Sequence, residues 1–330
     1  MLRHNNFFET KHPILCLPMN GVSDVNLAIA VSKAGAVPSF SLPNYMKGMG
    51  KYFNKYDLIK DVYQFCSETN SSNIVISMTD FHLSQQYDFL YELYKKYKIK
   101  HIEMLIMSKN DTHYEMSQEQ IYLQRMQEFQ QMGVKILVKS ISYPKDIMHR
   151  FKSSIPIMDG LIIKGREGAG KINTEVHDET SSLKVISYKA VRNYPSKAII
   201  PSGGICTAED VYTYMKIGCA AVGIGTLFAL SEESLVAKSS KLEIIANNKR
   251  KLDNLMCEGM SQNAFVFNKY EGKDNSNHSA SLKLGVLGNG GHLFMGAGMS
   301  VVDEILPVSE IINRLTNFNV SAPSRMDSVG

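Results

Sequence analysis

Short continuous apolar runs alternate along the chain with longer stretches of mixed character. Eight runs read as strands: Ile14–Leu17, Ala36–Phe40, Ile74–Met78, Ile102–Met107, Lys135–Val138, Gly160–Ile163, Ala198–Ile200 and Ala221–Ile224. They are apolar throughout and do not alternate, as parallel strands covered on both faces do. Between most of them, apolar residues recur at helical spacing, as in Val25–Ala34 and Ile121–Phe129. Eight strand–helix units over this length predict an α/β fold of the (β/α)8 TIM-barrel type. An open doubly wound sheet is the alternative. Against it, the glycine-rich turns fall on the late strands, whereas a Rossmann domain carries its own in the first βα turn.

The pattern changes after Phe228. Ser231–Asn248 has helical spacing, residues 268–292 are polar and turn-rich, and Val308–Leu315 reads as a final helix after Pro307. The expected organisation is a barrel over residues 12–230, followed by a smaller helical appendage over residues 231–320 that covers the barrel mouth. The stretch from Ser321 onward is expected to fray.

Composition narrows the classes. Of 330 residues, 44% are hydrophobic and 21% charged, ordinary for a soluble globular chain that buries a substantial core. A net charge of +4 without clustered Lys/Arg and aromatics argues against nucleic-acid binding. No apolar run is long enough to span a bilayer. The opening Met1-Leu-Arg-His-Asn-Asn lacks the charged-then-apolar order of a secretory signal. The five cysteines (16, 66, 206, 219 and 257) are dispersed, which suggests reduced thiols in a cytoplasmic protein and no metal site.

The candidate chemistry lies at the strand ends. Ala198-Ile-Ile-Pro-Ser202-Gly203-Gly204-Ile205 and Ala221-Val-Gly-Ile-Gly225-Thr226 each read as strand, glycine turn and helix start. Two adjacent helix N-termini would aim backbone N–H groups at one point, and glycine would allow close approach. Such a pair makes a phosphate cradle of the kind found after the last two strands of many barrels. The first strand leads into Pro18-Met19-Asn20-Gly21-Val22-Ser23-Asp24, with Ser23 or Asp24 as helix N-cap. The sixth leads into Lys164-Gly165-Arg166-Glu167-Gly168-Ala169-Gly170-Lys171, a flexible loop suited to an anion. Lys139 and Lys164 end strands five and six; they face either the mouth or solvent. Of nine histidines, His177 and His292 are nearest to loops that could reach the site. Met19, Met78, Met104 and Met107 read as barrel packing.

These motifs occur in a familiar order. His12-Pro-Ile-Leu-Cys-Leu-Pro-Met-Asn-Gly-Val-Ser-Asp24 with Leu27–Gly35, Pro201–Ile205, Gly225-Thr-Leu-Phe228 with Glu233-Ser234, Gly296-Ala-Gly-Met, and Asp303–Ile311 together resemble the nitronate monooxygenase (2-nitropropane dioxygenase-like) family. The resemblance runs from His12 to about Leu315. It implies an FMN-binding barrel, related to flavin-type enoyl-acyl carrier protein reductases. Gly203, Gly204, Gly225 and Thr226 would hold the FMN phosphate, and Pro18, Met19 and Asn20 would pass beside the isoalloxazine. Lys139 or Lys164 would supply positive charge near its N1–C2=O edge, with Gly165, Gly170 and Ser202 lining the same cofactor site.

Two departures stand out. The family's Glu-Ala-Gly-Gly-His loop is Glu167-Gly-Ala-Gly-Lys171 here, so lysine replaces the catalytic histidine. An unperturbed lysine is protonated near neutrality and is no base. Gly223 replaces a common glutamine. The expectation is an FMN-dependent oxidoreductase acting on a small activated substrate, with NADH or NADPH as a candidate electron donor and Lys171, His177 and His292 as candidate catalytic groups. Flavin-dependent reduction of an enoyl thioester is one alternative. A phosphate-binding barrel without redox activity, acting as an isomerase or partner subunit, is another. The expected partners are a small-molecule substrate and, as an open option, a second copy of the chain.

Overall fold

The computed structural model describes residues 7–47, 52–106, 116–140, 157–171, 182–249, 251–257, 260–267 and 278–317. Eight parallel strands form the barrel: β1 Ile14–Cys16, β2 Ser39–Ser41, β3 Val75–Met78, β4 His101–Ile106, β5 Lys135–Ser140, β6 Gly160–Lys164, β7 Ala198–Ser202 and β8 Val222–Ile224. They pair in the order β1-β8-β7-β6-β5-β4-β3-β2. A parallel bridge between Leu15 and Val37 closes the ring. There Cys16 N–H donates to the Val37 carbonyl at 2.8 Å, and Val37 N–H donates to that of Ile14 at 2.9 Å. All eight apolar runs are therefore strands, and the fold is the expected barrel.

Strand alternation divides the apolar residues into two populations. Leu15, Val75, Leu137, Ile162, Ile200 and Ala221 form one cluster inside the barrel. Their neighbours, such as Ile14, Ile76, Val138 and Ile199, pack outward beneath the helices. Gly160 fits this wall because a Cβ there would lie 2.7 Å from Leu137 and 2.9 Å from the Ala198 carbonyl.

The shell contains α1 Val25–Lys33, α2 Lys55–Thr69, α3 Asp80–Tyr97, α4 Met116–Gln131, α5 Leu183–Asn193 and α6 Ala208–Ile217. Asp24 caps α1, its carboxylate accepting Leu27 N–H at 2.9 Å. After β8 comes only a four-residue turn of helix, α7 Thr226–Ala229. The chain then builds α8 Lys238–Ala246, β9 Asp253–Cys257, β10 Met260–Val266, α9 His278–Leu287 and β11 His292–Leu293, and ends its described part in α10 Val308–Thr316.

The region after Phe228 differs from the expectation of a helical appendage in three ways. It contains a small antiparallel sheet, β9–β10–β11, with Gly170–Lys171 of the β6 loop added to β10. It also contains α9 inside the stretch read as turns. The polar and glycine-rich flanks of α9 obscure its apolar face, where Leu282 and Val286 join the appendage core. The third difference concerns α10. Its Val308, Ile311, Ile312 and Leu315 share a core with Leu27 and Val31 of α1 and Val211 and Met215 of α6. It therefore occupies the shell position between α6 and α1. Glu233 ties it back, both carboxylate oxygens accepting Val308 N–H at 3.0 and 3.1 Å. Buried Lys241 of α8 holds the adjoining turn through the carbonyls of Ser231 and Ser234, at 2.5 and 3.2 Å.

The end of the barrel opposite the mouth is stoppered by the segment before β1. Phe8 sits within the interior apolar cluster. Asn73 donates to its carbonyl at 2.5 Å, and Lys135 donates to that of Phe7 at 2.6 Å. Glu9 pairs with Lys100 at 2.8 Å. Against Phe7 and Phe8 lies His101, only 1% exposed, with neither ring nitrogen bonded among the described residues. Burial, reinforced by Lys135 and Lys100, pushes its pKa down to about 3. The folded state thus binds this proton less well than the unfolded chain does. The contribution is fully present above pH ~6.5 and is lost as pH falls from there through about 3. Up to about 1.4 kcal/mol per pH unit is at stake. Urea unfolding between pH 7 and pH 4 should show this slope, and His101→Phe should flatten it. An unchanged slope in the variant would assign acid sensitivity to other groups.

Candidate functional site

The loops at the C-terminal ends of the strands are held together by close backbone contact. Gly203 and Gly204 follow β7 with φ of +98° and +76°, conformations that favour glycine. A Cβ on Gly203 would meet the backbone of the β6 loop, at 2.9 Å from Gly168 N and 3.1 Å from Gly165 O. A Cβ on Gly204 would run into the Glu167 side chain. Gly165 N–H donates to the Ser202 carbonyl at 2.8 Å, and Ser202 Oγ donates to that of Ile163 at 3.0 Å. The β6 and β7 loops are thereby locked in register.

The anion donors differ in one respect from the sequence reading. The N-terminus of α6 is already occupied by its own capping box. Thr207 Oγ1 accepts Asp210 N–H, while Asp210 Oδ2 accepts Cys206 N–H at 3.0 Å and Thr207 N–H at 2.9 Å. The N–H groups of Cys206, Thr207 and Asp210 are thus taken up within the chain. What remains are the turns themselves. Among the described turn and loop hydrogen bonds, none is donated by the N–H of Gly203, Gly204, Gly225 or Thr226. These four N–H groups would suit an anion, while the Cβ sides of Gly203 and Gly204 are covered by Gly168 and the Glu167 side chain.

The β1 loop borders the same place. Met19 Sδ lies 3.6 Å from where a Cβ of Gly225 would stand. Asn20 Oδ1 accepts Ser41 Oγ–H, and Asn44 holds the loop by accepting Gly21 N–H at 2.7 Å and donating to the Ser23 carbonyl at 2.9 Å. Pro18 and Met19 are half-buried and Asn20 is exposed. A Cβ on Gly223 would stand 2.8 Å from Leu17 Cδ2 and 3.1 Å from Ser202 Cβ, so the family's glutamine would require Leu17 to shift.

The lysines behave differently from one another. Lys164 turns under its own loop and donates to the Ala169 carbonyl, with Gly168 pressed against its stem. Lys139 is 14% exposed and pairs with buried Glu103 at 3.3 Å. Gly170 and Lys171 form a two-residue strand opposite Asn263 and Gln262 of β10, which places this backbone beneath the appendage. His177 lies outside the described residues, as does Met107. His292 is buried in the appendage, its Nδ1 2.8 Å from Ser281 Oγ. Met78 and Met104 are buried beneath the shell, as expected.

One contributor escaped sequence reading. Asn263 Nδ2 donates to the carbonyls of Arg166 at 2.8 Å and Gly168 at 2.9 Å, clamping the β6 loop from above. Ala297 N–H adds a bond to the Glu167 carbonyl at 2.8 Å, and Gly296 N–H donates to Thr226 Oγ1 at 3.0 Å. The Gly296-Ala-Gly motif signals the second set of contacts; nothing in the sequence signals Asn263. The four cysteines whose side chains are described are free thiols. Among the described residues, no acidic, histidine and cysteine cluster could hold a metal, and no helix is long and apolar enough to cross a membrane.

The model of the nitronate monooxygenase family matches residues 117–317, more than half of the chain. The chain belongs to the nitronate monooxygenase family. That membership makes it a flavin-dependent oxidoreductase. Among solved structures, FabK from Thermotoga maritima is similar at 22% identity and TM-score 0.72, over 96% of this chain and 94% of that one. Nitroalkane oxidase from Streptomyces ansochromogenes is similar at 14% identity and TM-score 0.65, over 93% and 95%. The enoyl reductase domain of MlnA from Bacillus amyloliquefaciens follows at 11% identity and TM-score 0.63, over 95% of each chain. At these identities the structures share the fold. No curated protein matches the chain.

Gly203→Ala is expected to be the sharpest test of the cradle. It introduces a Cβ against backbone that cannot yield, in a conformation costing about 1–2 kcal/mol for other residues. The purified variant should keep its far-UV circular dichroism and lose most bound flavin absorbance. Full flavin occupancy would move the phosphate elsewhere.

Proposed function

We propose that this protein is an FMN-dependent oxidoreductase acting on a small, activated, mostly apolar substrate. The observation that carries the reading is the Gly203–Gly204 turn, whose glycines pack against the β6 loop and whose N–H groups donate none of the described turn and loop hydrogen bonds. A single cradle after the last two strands suits the one phosphate of a mononucleotide. In this reading Gly203, Gly204, Gly225 and Thr226 bind the phosphate, and Ser202, Gly165 and Gly170 shape the wall beside it. Pro18, Met19 and Asn20 orient the ring, while Lys139 supplies a fixed cation at the floor of the mouth. Lys164 supports the site through its loop. The bound flavin would supply two-electron exchange at N5.

The residue at the family's histidine position sets the expected chemistry. An unperturbed lysine at position 171 would be protonated near neutrality and would not accept a proton there. General-base catalysis typically contributes ~10²–10⁴-fold, so turnover of simple nitroalkanes should be weak. A second reading, reduction of an enoyl thioester, is favoured by the match to FabK over 96% of the chain. Reduction needs a hydride donor and no substrate deprotonation, so a protonated lysine is compatible with it. NADH or NADPH is the donor to try.

The purified protein should be yellow and release FMN on heat denaturation, at about one per chain. Anaerobic bleaching by NADH or NADPH, compared with bleaching by a nitronate, separates the two reactions. A colourless protein that takes up no FMN would end the reading. Lys171→His should raise proton abstraction from neutral nitroalkanes and leave FMN content unchanged. No change in that rate would locate the base elsewhere, with His177 and His292 the next substitutions.

A further inference from the structure

Inside the barrel, two residues closer to the mouth than Val75 and Leu137, the apolar interior gives way to three polar side chains. Ser77 of β3 donates to Glu103 Oε1 of β4 at 2.9 Å, and Lys139 Nζ of β5 lies 3.3 Å from the same oxygen. Glu103 is 1% exposed. Its second oxygen, Oε2, is buried without a hydrogen-bond partner among the described residues.

Stability gives little reason for this arrangement. Taking a carboxylate out of water is costly, and half of this one is uncompensated. Buried ion pairs replaced by apolar residues of similar size often leave a protein equally or more stable. What the group does accomplish is geometric and electrostatic. Lys139 has a long flexible stem, and its ammonium would otherwise reach for water. Glu103, itself oriented by Ser77, draws it back into the barrel and sets a second charge of opposite sign beside it.

We propose that Glu103 is a positioning residue of the flavin site. It fixes the Lys139 ammonium at the floor of the mouth and offsets its charge, so that the pair presents a nearly neutral field to the cofactor. This rests on the flavin reading above and adds a consequence to it. Reduction brings two electrons and one proton to the isoalloxazine and leaves one net negative charge. A lone ammonium below would favour that charge strongly. The carboxylate beside it withdraws most of the advantage and keeps the reduction potential low.

The experiment is a potential measurement on the flavin-loaded enzyme. Wild type, Glu103→Gln and the double variant Glu103→Gln/Lys139→Met are each reduced slowly with dithionite in the presence of a reference dye. Glu103→Gln leaves the cation alone and should raise the ratio of reduced to oxidised flavin about tenfold at a set potential, or about +30 mV for a two-electron couple. The double variant removes both charges and should return to within about threefold of wild type. A merely structural role for Glu103 would change flavin content or thermal stability without this reversal. The proposal is overturned if the single variant stays within about threefold of wild type, or if the double variant keeps the single variant's shift. If Glu103→Gln does not fold, the double variant still decides: a fall of about tenfold against wild type would mean that Lys139 was never offset. Flavin content of the wild type is measured first. Its absence would overturn the flavin reading as well, whereas a loaded wild type with unshifted variants overturns only the role of Glu103.

Discussion

The architecture of the site depends on how closely two backbones approach one another. The turn after β7 and the loop after β6 touch through Gly203, Gly165 and Gly168, at distances that exclude even a methyl group. That contact brings the loop of one strand onto the turn of the next, and the turn's N–H groups donate none of the described turn and loop hydrogen bonds. The register of β6 and β7, the Ser202 hydroxyl and the clamp from the appendage all serve to hold it. Without it, the mouth would be a ring of independent loops, and no fixed set of donors would exist for an anion.

The barrel supplies a second constraint through its layered interior. The lower part is filled by aliphatic residues and stoppered by Phe8, so it excludes water. Charge placed above such a floor is poorly screened and acts over a longer distance than it would in solvent. Glu103 and Lys139 stand there as a matched pair. The histidine at the opposite end, His101, is held neutral by the same dryness. One apolar plug therefore sets the electrical conditions at both ends of the barrel.

Most of the fold was legible in the sequence because parallel barrel strands are buried on both faces and read as uninterrupted apolar runs. All eight fell within a few residues of their observed positions. The glycine turns were legible because positive φ and close approach leave few other residues to choose from. What could not be read was long-range and polar. Asn263 acts through its side-chain amide on carbonyls almost a hundred positions earlier in the chain, and no local pattern marks such a partner. The β9–β10 ribbon is short, and its pairing depends on a neighbour from the β6 loop. The capping box at Thr207 and Asp210 was visible in the sequence as Thr-Ala-Glu-Asp, and it takes up the N–H groups of Cys206, Thr207 and Asp210 at that helix end. Helix α10 has the right periodicity, but periodicity does not say which surface a helix covers.

The placement of α10 has a consequence for how the molecule comes into being. Between β8 and α10 the chain makes an excursion of some eighty residues (through α8, the small sheet and α9) before it returns to seal the gap between α6 and α1. The barrel's outer layer therefore stays open along one side until almost the last described element has been made. Without α10, Leu27, Val31, Val211 and Met215 would lose their cover on that side. Loop closure over this distance costs only slowly increasing entropy, but during synthesis it takes time. The nascent chain must carry an unsealed hydrophobic seam, and the excursion that builds half of the mouth is stitched down at both ends by the same late event.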